Sequence, residues 1–160
     1  MATKSQAMQR YIRHYKRATG KTEVDMREVA KYAMERGWTK PIPKSALDLL
    51  TTEFSQAARE EIRRDKKTGR PYRGYHAFKQ KQGTTQLTLW VDIDEAPRGP
   101  MQKSLINRRD QMISDGVLLT LDANHWNGIN PTEKPIVLPL DFTEDVEERL
   151  SIPFEDEKAA

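Results

Sequence analysis

At 160 residues, 36% apolar and 32% charged, the chain is long enough for one domain with a real core, and it is polar for a globular protein without being disordered throughout. It has no cysteine, which excludes disulfides and thiolate zinc sites. No apolar run approaches the ~18 residues of a membrane span, and no hydrophobic segment follows a basic N-terminus, so a cytoplasmic protein is expected. The net charge of +3 conceals a division: residues 141–160 hold eight acids and two bases, which leaves residues 1–140 at +9. A basic body with an acidic tail fits nucleic-acid contact, the tail either competing for the same surface or serving as a solubilising end.

In chain order, QAMQRYIRHYKRATG places Met8, Ile12 and Tyr15 at helical spacing, with Gly20 as a stop. A second helix begins at Asp25, whose spacing to Glu28 is that of a capping box, and ends at Gly37. Pro41 and Pro43 then break the pattern. The third helix is predicted from Ser45 to about Arg64, because Leu47, Leu50, Phe54, Ala57/Ala58 and Ile62 step by three or four. Its opposite stripe is Thr52, Gln56, Arg59 and Arg63, with Ser55 beside it.

A β-hairpin follows. QLTLWVDID alternates Leu87, Leu89, Val91 and Ile93 against polar positions and Trp90, its partner is RGYHAFK, and Gly83 supplies the turn. Gly74, inside that partner, implies a bulge or a close backbone approach. After the two prolines of EAPRGP, residues 101–124 read as a long helix, bent or broken near Gly116. HWNGINPTEKP reads as a loop, with His125 and Trp126 as its anchor, and PIVLPL as an extended stretch. DFTEDVEERL reads as a short helix capped by Thr143, and the last ten residues as a mobile end. The divisions are 1–95 as a nucleic-acid-binding core, 96–140 as a helical extension and loop, and 141–160 as an acidic tail.

Residues 63–81, RRDKKTGRPYRGYHAFKQK, hold eight Lys or Arg against Asp65 alone. Arg64, Lys66, Lys67, Arg70 and Arg73 follow the third helix's polar face, and Lys79 and Lys81 sit at the hairpin turn. Such cations contact phosphates and fix register, while Gln56 and the arginines of the helix stripe are the types that pair with adenine and guanine. A plain solvated face accounts for the same stripe, given Glu60 and Glu61 within it, and cations near a helix C-terminus also favour its dipole. Tyr72, Tyr75 and Phe78 suit either stacking on bases or cross-strand packing.

Three helices, then a hairpin with a basic tip, then a further helix: this order resembles the winged helix-turn-helix fold over roughly residues 5–95. The resemblance implies an α+β domain in which MREVAKYAMERG and SALDLLTTEFSQAAREEIRRD are the paired helices and YHAFKQKQGTTQLTLWVDI is the wing. It implies a transcriptional regulator whose third helix enters the major groove of double-stranded DNA while the wing follows phosphates. GWTKPIPK, between the paired helices, is longer than the three- or four-residue turn usual there.

Other classes remain open. Asp92 and Asp94 lie two apart on a strand, where they could hold Mg²⁺ with His76 across the hairpin, a metal-dependent nuclease arrangement. No Walker loop, HExxH or nucleophile elbow accompanies them, so no catalytic residue and no cofactor is assigned. A basic surface would also serve a protein-interaction or adaptor module. Arg108 and Arg109 are a further candidate phosphate pair, and Trp38, Trp90 and Trp126 are expected packing anchors. Leu105, Met112, Ile113, Val117 and Leu119 need a partner surface, which is either a second copy in a homodimer or the hairpin's apolar face.

Overall fold

The computed structural model describes residues 1–153 and is of the α+β class, with five helices and two small antiparallel two-stranded sheets among them. The chain forms two compact units, Met1–Leu49 and the remainder from Leu50. The hairpin and the long helix after it, on either side of residue 95, lie within the second unit.

The first unit pairs α1 (Lys4–Thr19) with α2 (Met26–Glu35). Thr3 and Gln6 close a reciprocal capping box on α1: the Thr3 hydroxyl accepts from the Gln6 amide at 3.2 Å, and the Gln6 side chain accepts from the Thr3 amide at 2.8 Å. Tyr15 and Val29 are the buried apolar residues of the pair, and Tyr15 meets Tyr32 edge-on at 5.3 Å. Asp25 caps α2 by accepting from the Arg27 amide at 2.8 Å. Glu28 does not complete a box there. Its carboxylate accepts instead from the Tyr15 hydroxyl at 2.8 Å, because a phenol drawn into the core requires an acceptor. The end of α2 is a paired C-terminal motif: Gly37 (φ +81°) donates to the Met34 carbonyl, and Trp38 donates to that of Ala33. This reversal brings the Trp38 ring to 5.0 Å from that of Tyr11.

In sequence α3 (Ala46–Glu60) crosses the division at Leu49, with the Ser45 hydroxyl accepting from the Asp48 amide at 3.1 Å. The helix ends at Glu60, short of the predicted Arg64. Ile62–Arg64 is instead a strand, β1, paired with β2 (Pro71–Arg73) in the register Ile62↔Arg73, Arg63↔Tyr72 and Arg64↔Pro71. Asp65 organises the turn between them, its carboxylate accepting from the Lys67 and Thr68 amides at 2.7 and 3.0 Å. These two amides, that of Thr68 first, hold the Asp65 carboxyl below its ordinary value.

The predicted hairpin is present as β3 (Tyr75–Gln82) and β4 (Thr85–Asp92), in the register Ala77↔Trp90 and Lys79↔Thr88. Its loop is only Gly83-Thr84, with positive φ at the glycine alone, the pattern of a type II′ turn. Gly74 joins the two ribbons: its amide donates to the Glu61 carbonyl at 3.0 Å, and its carbonyl accepts from the Ile93 amide at 2.9 Å. β2, Gly74 and β3 therefore follow one another as a single strand path that carries β1 beside its first part and β4 beside its second.

β3 packs on α4 (Arg98–Ile129), where His76, Phe78 and Ser104 are the buried residues. α4 is unbroken at Gly116 and runs through His125 and Trp126, the segment predicted to be a loop. It stops before Pro131, whose ring disfavours helical geometry in Asn130. The extended stretch then returns along α4: the Asn127 amide group both donates to and accepts from the Ile136 backbone at 2.9 Å, and Leu140 sits over Gly116. α5 (Thr143–Ser151) is not capped by Thr143; the Asp141 carboxylate accepts from the Thr143 amide at 3.1 Å. Two apolar stripes differ from expectation. Phe54 of α3 is 69% exposed and Met112 of α4 60%, so the second unit's core sits between β3 and α4 and not beneath these stripes. The last seven residues of the predicted tail lie outside the described residues.

Candidate nucleic-acid interface

Strand alternation places Tyr75, Ala77 and Lys79 of β3 on one face with their β4 partners Trp90 and Thr88. On α4, Ser104, Asn107, Arg108, Gln111 and Ser114 recur at steps of three and four residues and form a polar stripe along one side. His76 and Phe78 turn to the opposite face, toward α4, and a groove of about 670 Å³ beside β3 is lined by residues of both strand faces and by this stripe of α4. Arg59 from the end of α3 and Arg73 from β2 complete its rim with Lys79 and Arg108, and Asp110 is the one acid among the described residues that line it. The guanidinium of Arg59 lies over the Trp90 ring, 5.4 Å from its centroid, which holds the cation without neutralising it.

His76 and Ser104 form the groove's floor, respectively 6% and 2% exposed. The His76 ring lies 3.2 Å from the Arg73 carbonyl through Nε2, the nitrogen that donates there. Burial pushes the imidazole below its ordinary value. The bond to Arg73 opposes that shift, and the charges of Arg108 and Arg73 add to it. At neutral pH the groove's positive charge therefore comes from arginine and lysine, and its floor supplies neutral hydrogen-bonding groups.

The basic run of residues 63–81 does not form one surface. Arg73 and Lys79 enter the groove together with Arg59. Arg64, Lys66, Lys67 and Arg70 belong to the β1–β2 end, while Lys81 lies beside the Gly83–Thr84 turn. These two tips are at opposite ends of the joined strand path, up to roughly 36 Å of extended chain apart. Arg70 donates from Nη2 to the Leu150 carbonyl at the end of α5. Thr52, Ser55 and Gln56 remain on α3, where the Gln56 amide donates to Glu60 at 2.6 Å and the Ser55 hydroxyl to the Thr51 carbonyl.

Arg63 is a correction to the predicted helix stripe. It stands on β1, and its guanidinium is enclosed by Glu61 at 2.7 Å, Asp92 at 2.6 Å and Asp94 at 2.8 Å. These contacts, that to Asp92 first, raise the Arg63 pKa further and leave the group no role in reading bases. The same enclosure corrects the nuclease arrangement. Asp92 and Asp94 do share a side, but they converge on a fixed guanidinium, and no group of three or more potential metal ligands occurs among the described residues. His76 faces the other way across the ladder, paired with Val91.

Arg108 is legible in the sequence as part of a pair of arginines, whereas Asn107, Gln111 and Ser114 join it only through the helix. Their signal was present as a polar 3.6-residue stripe on a helix otherwise rich in Leu, Ile and Val. Among the described residues no helix is long and apolar enough to cross a membrane. Comparison with protein-family models, with curated proteins and with solved structures gives no match for this chain.

Proposed function

We propose that the chain binds nucleic acid, with the groove between the β3–β4 ladder and α4 receiving the phosphate backbone. The observation that carries this reading is the convergence of Arg59, Arg73, Lys79 and Arg108 on one cleft with a single acid among the described residues that line it. Guanidinium and ammonium groups there neutralise phosphates, while Asn107, Gln111 and Ser114 supply neutral donors and acceptors along the same path. The rings of Trp90 and Tyr75 serve as platforms for the guanidinium groups of Arg59 and Arg63.

The finer reading is a winged-helix regulator of double-stranded DNA, with β3–β4 as the wing and the Thr52, Ser55, Gln56 and Arg59 side of α3 toward the major groove. Element order and the exposed polar side of α3 support it. Base reading by Gln56 requires release of its bond to Glu60, so phosphate contact from the groove dominates the affinity.

Fluorescence anisotropy with labelled duplex and single-stranded oligonucleotides at two salt concentrations tests the proposal. Wild type binds more weakly as salt rises, and Lys79→Ala and Arg108→Ala each reduce the salt slope by about 1. Absence of binding at low salt refutes nucleic-acid recognition. Equal slopes in wild type and both variants remove the groove from it.

A second reading concerns a homodimer. Met112, Ile113, Val117 and Leu121 of α4 line an apolar groove of about 480 Å³ with Leu140 and Phe142. A second copy covering that groove is compatible with nucleic-acid binding and with an adaptor role. Sedimentation velocity at micromolar concentration decides it: a dimer that Val117→Asp dissociates supports the reading, and a wild-type monomer ends it.

A further inference from the structure

The first unit carries a second cationic surface, separate in sequence from every residue of the groove. α1 holds Lys4, Arg10, Arg13, Lys16 and Arg17 and no acid; the chain's first carboxylate is Glu23. Among the described residues no ion pair engages Arg10, Arg13 or Arg17, and the first unit's ion pair is Lys21 with Glu28 at 3.4 Å. Arg10, Arg13 and Arg17 follow at steps of three and four, so they form one stripe that rises roughly 10 Å along the helix.

The upper end of the stripe opens on a cleft of about 250 Å³ lined by Arg10, Tyr11, His14 and Arg36. Arg36 comes from the cap of α2, and its guanidinium lies 3.7 Å from the centroid of the Tyr32 ring. The Tyr32 hydroxyl in turn contacts His14 Nδ1. Arg36 is thus oriented by an aromatic face, and among the described residues no ion pair engages it. Two guanidinium groups and an imidazole around one cleft, with no acid among the described residues that line it, suit a phosphate group.

We propose that the first unit is a second nucleic-acid contact, which seats one backbone phosphate between Arg10 and Arg36 and passes neighbouring phosphates along Arg13 and Arg17. The stripe's length favours a strand of linked phosphates over a single free anion. A bilayer surface fits less well: Tyr15 is buried and Ile12 half-buried, so the apolar side of α1 is already committed within the unit. The inference shares its ligand class with the groove reading but rests on none of the groove's residues.

The test uses the full chain in anisotropy titrations over a range of salt, comparing Arg10→Ala/Arg13→Ala with Lys79→Ala/Arg108→Ala. Each double variant is expected to lower the magnitude of the salt slope by about 2, because each neutralised phosphate contributes about 0.9. Wild-type slope and affinity in Arg10→Ala/Arg13→Ala overturn this inference, and the groove reading then stands or falls on its own variant. Loss confined to Arg10→Ala/Arg13→Ala supports the inference and removes the groove. A second measurement does not depend on variants folding: the His14 ring resonances of wild type shift as oligonucleotide is added, and an unmoved ring refutes contact at the cleft. Co-sedimentation with vesicles of anionic and zwitterionic lipid checks the competing partner. Vesicle binding lost in Arg10→Ala/Arg13→Ala, with oligonucleotide affinity unchanged, assigns the surface to membranes and overturns the proposal.

Discussion

Arg63 and Asp92 meet as a two-pronged fork, Nη1 2.6 Å from Oδ1 and Nη2 2.8 Å from Oδ2, which ties β1 to the end of β4. The Asp94 amide also donates to Asp92 at 2.9 Å, and the Tyr72 hydroxyl donates to Asp94 at 3.1 Å. The pairing therefore locks the two ribbons at their junction and is a structural device.

Removal of the cation leaves Glu61, Asp92 and Asp94 without their common partner, so Arg63→Met is expected to lower the urea midpoint with little change in m. Asp94→Asn has the smaller effect, since its side chain is 53% exposed against 20% for Asp92. The pH dependence follows from Asp92, whose carboxyl Arg63 holds below its ordinary value. That stabilisation is fully present above the unfolded value, about 4, and is lost as pH falls through the folded one. Arg63→Met flattens this acid limb. An unchanged limb in the variant contradicts the assignment.

A Cβ added at Gly74 would lie 2.8 Å from Arg63 Nε and 2.9 Å from its Cζ. Gly74→Ala must therefore displace the guanidinium from its carboxylates, and it destabilises the protein through that route. A double-mutant cycle checks this: the substitution costs less in an Arg63→Ala background than in wild type. Additive costs would show that the close approach has no energetic consequence.

His76 is buried with its pKa depressed, chiefly by desolvation. The unfolded imidazole titrates near 6.5, so the unfolded chain binds more protons below that value. Stability from this group is present above about pH 6.5 and declines as pH falls through the folded value. Urea midpoints measured from pH 7.5 to 5.5 should fall for wild type and fall less for His76→Gln. Parallel curves would place the titration elsewhere.

Gly37 holds a φ of +81° at the end of α2, with no atom within 4 Å of an added Cβ. Gly37→Ala therefore meets no packing clash and carries the backbone penalty alone, about 1–2 kcal/mol. Thermal unfolding followed by circular dichroism measures it, and a variant as stable as wild type would show that the first unit tolerates a different ending.

The elements most readable from sequence were those with a local cause. The caps at Asp25 and Gly37 were visible because their bonds run to residues three or fewer positions away, whereas Glu28, the box partner expected of Asp25, is drawn off to Tyr15. The strand of Leu87, Leu89 and Val91 was visible from its alternation, although Leu87 and Leu89 stay exposed. β1 was hidden because Ile62 continues the spacing of Phe54 and Ala58, and a three-residue strand has no room to display a period of two. The loop predicted at His125 was overridden by tertiary support, since Asn127 braces the helix against Ile136. The groove was half legible. Its cations were visible as a basic run, but the sorting of Arg59, Arg73 and Lys79 from Arg63 and Lys81 depends on strand pairing between residues far apart in the chain.

Three carboxylates around the single guanidinium of Arg63 leave a formal surplus of two negative charges at the middle of the ribbon. Within a screening length of about 10 Å, that spot repels a passing anion. The ribbon thus presents attraction, repulsion and attraction in sequence along its length. On the proposed reading, a phosphate chain laid along the ribbon would meet that acid surplus between the two cationic tips, so the acids would narrow its route as the cations hold it.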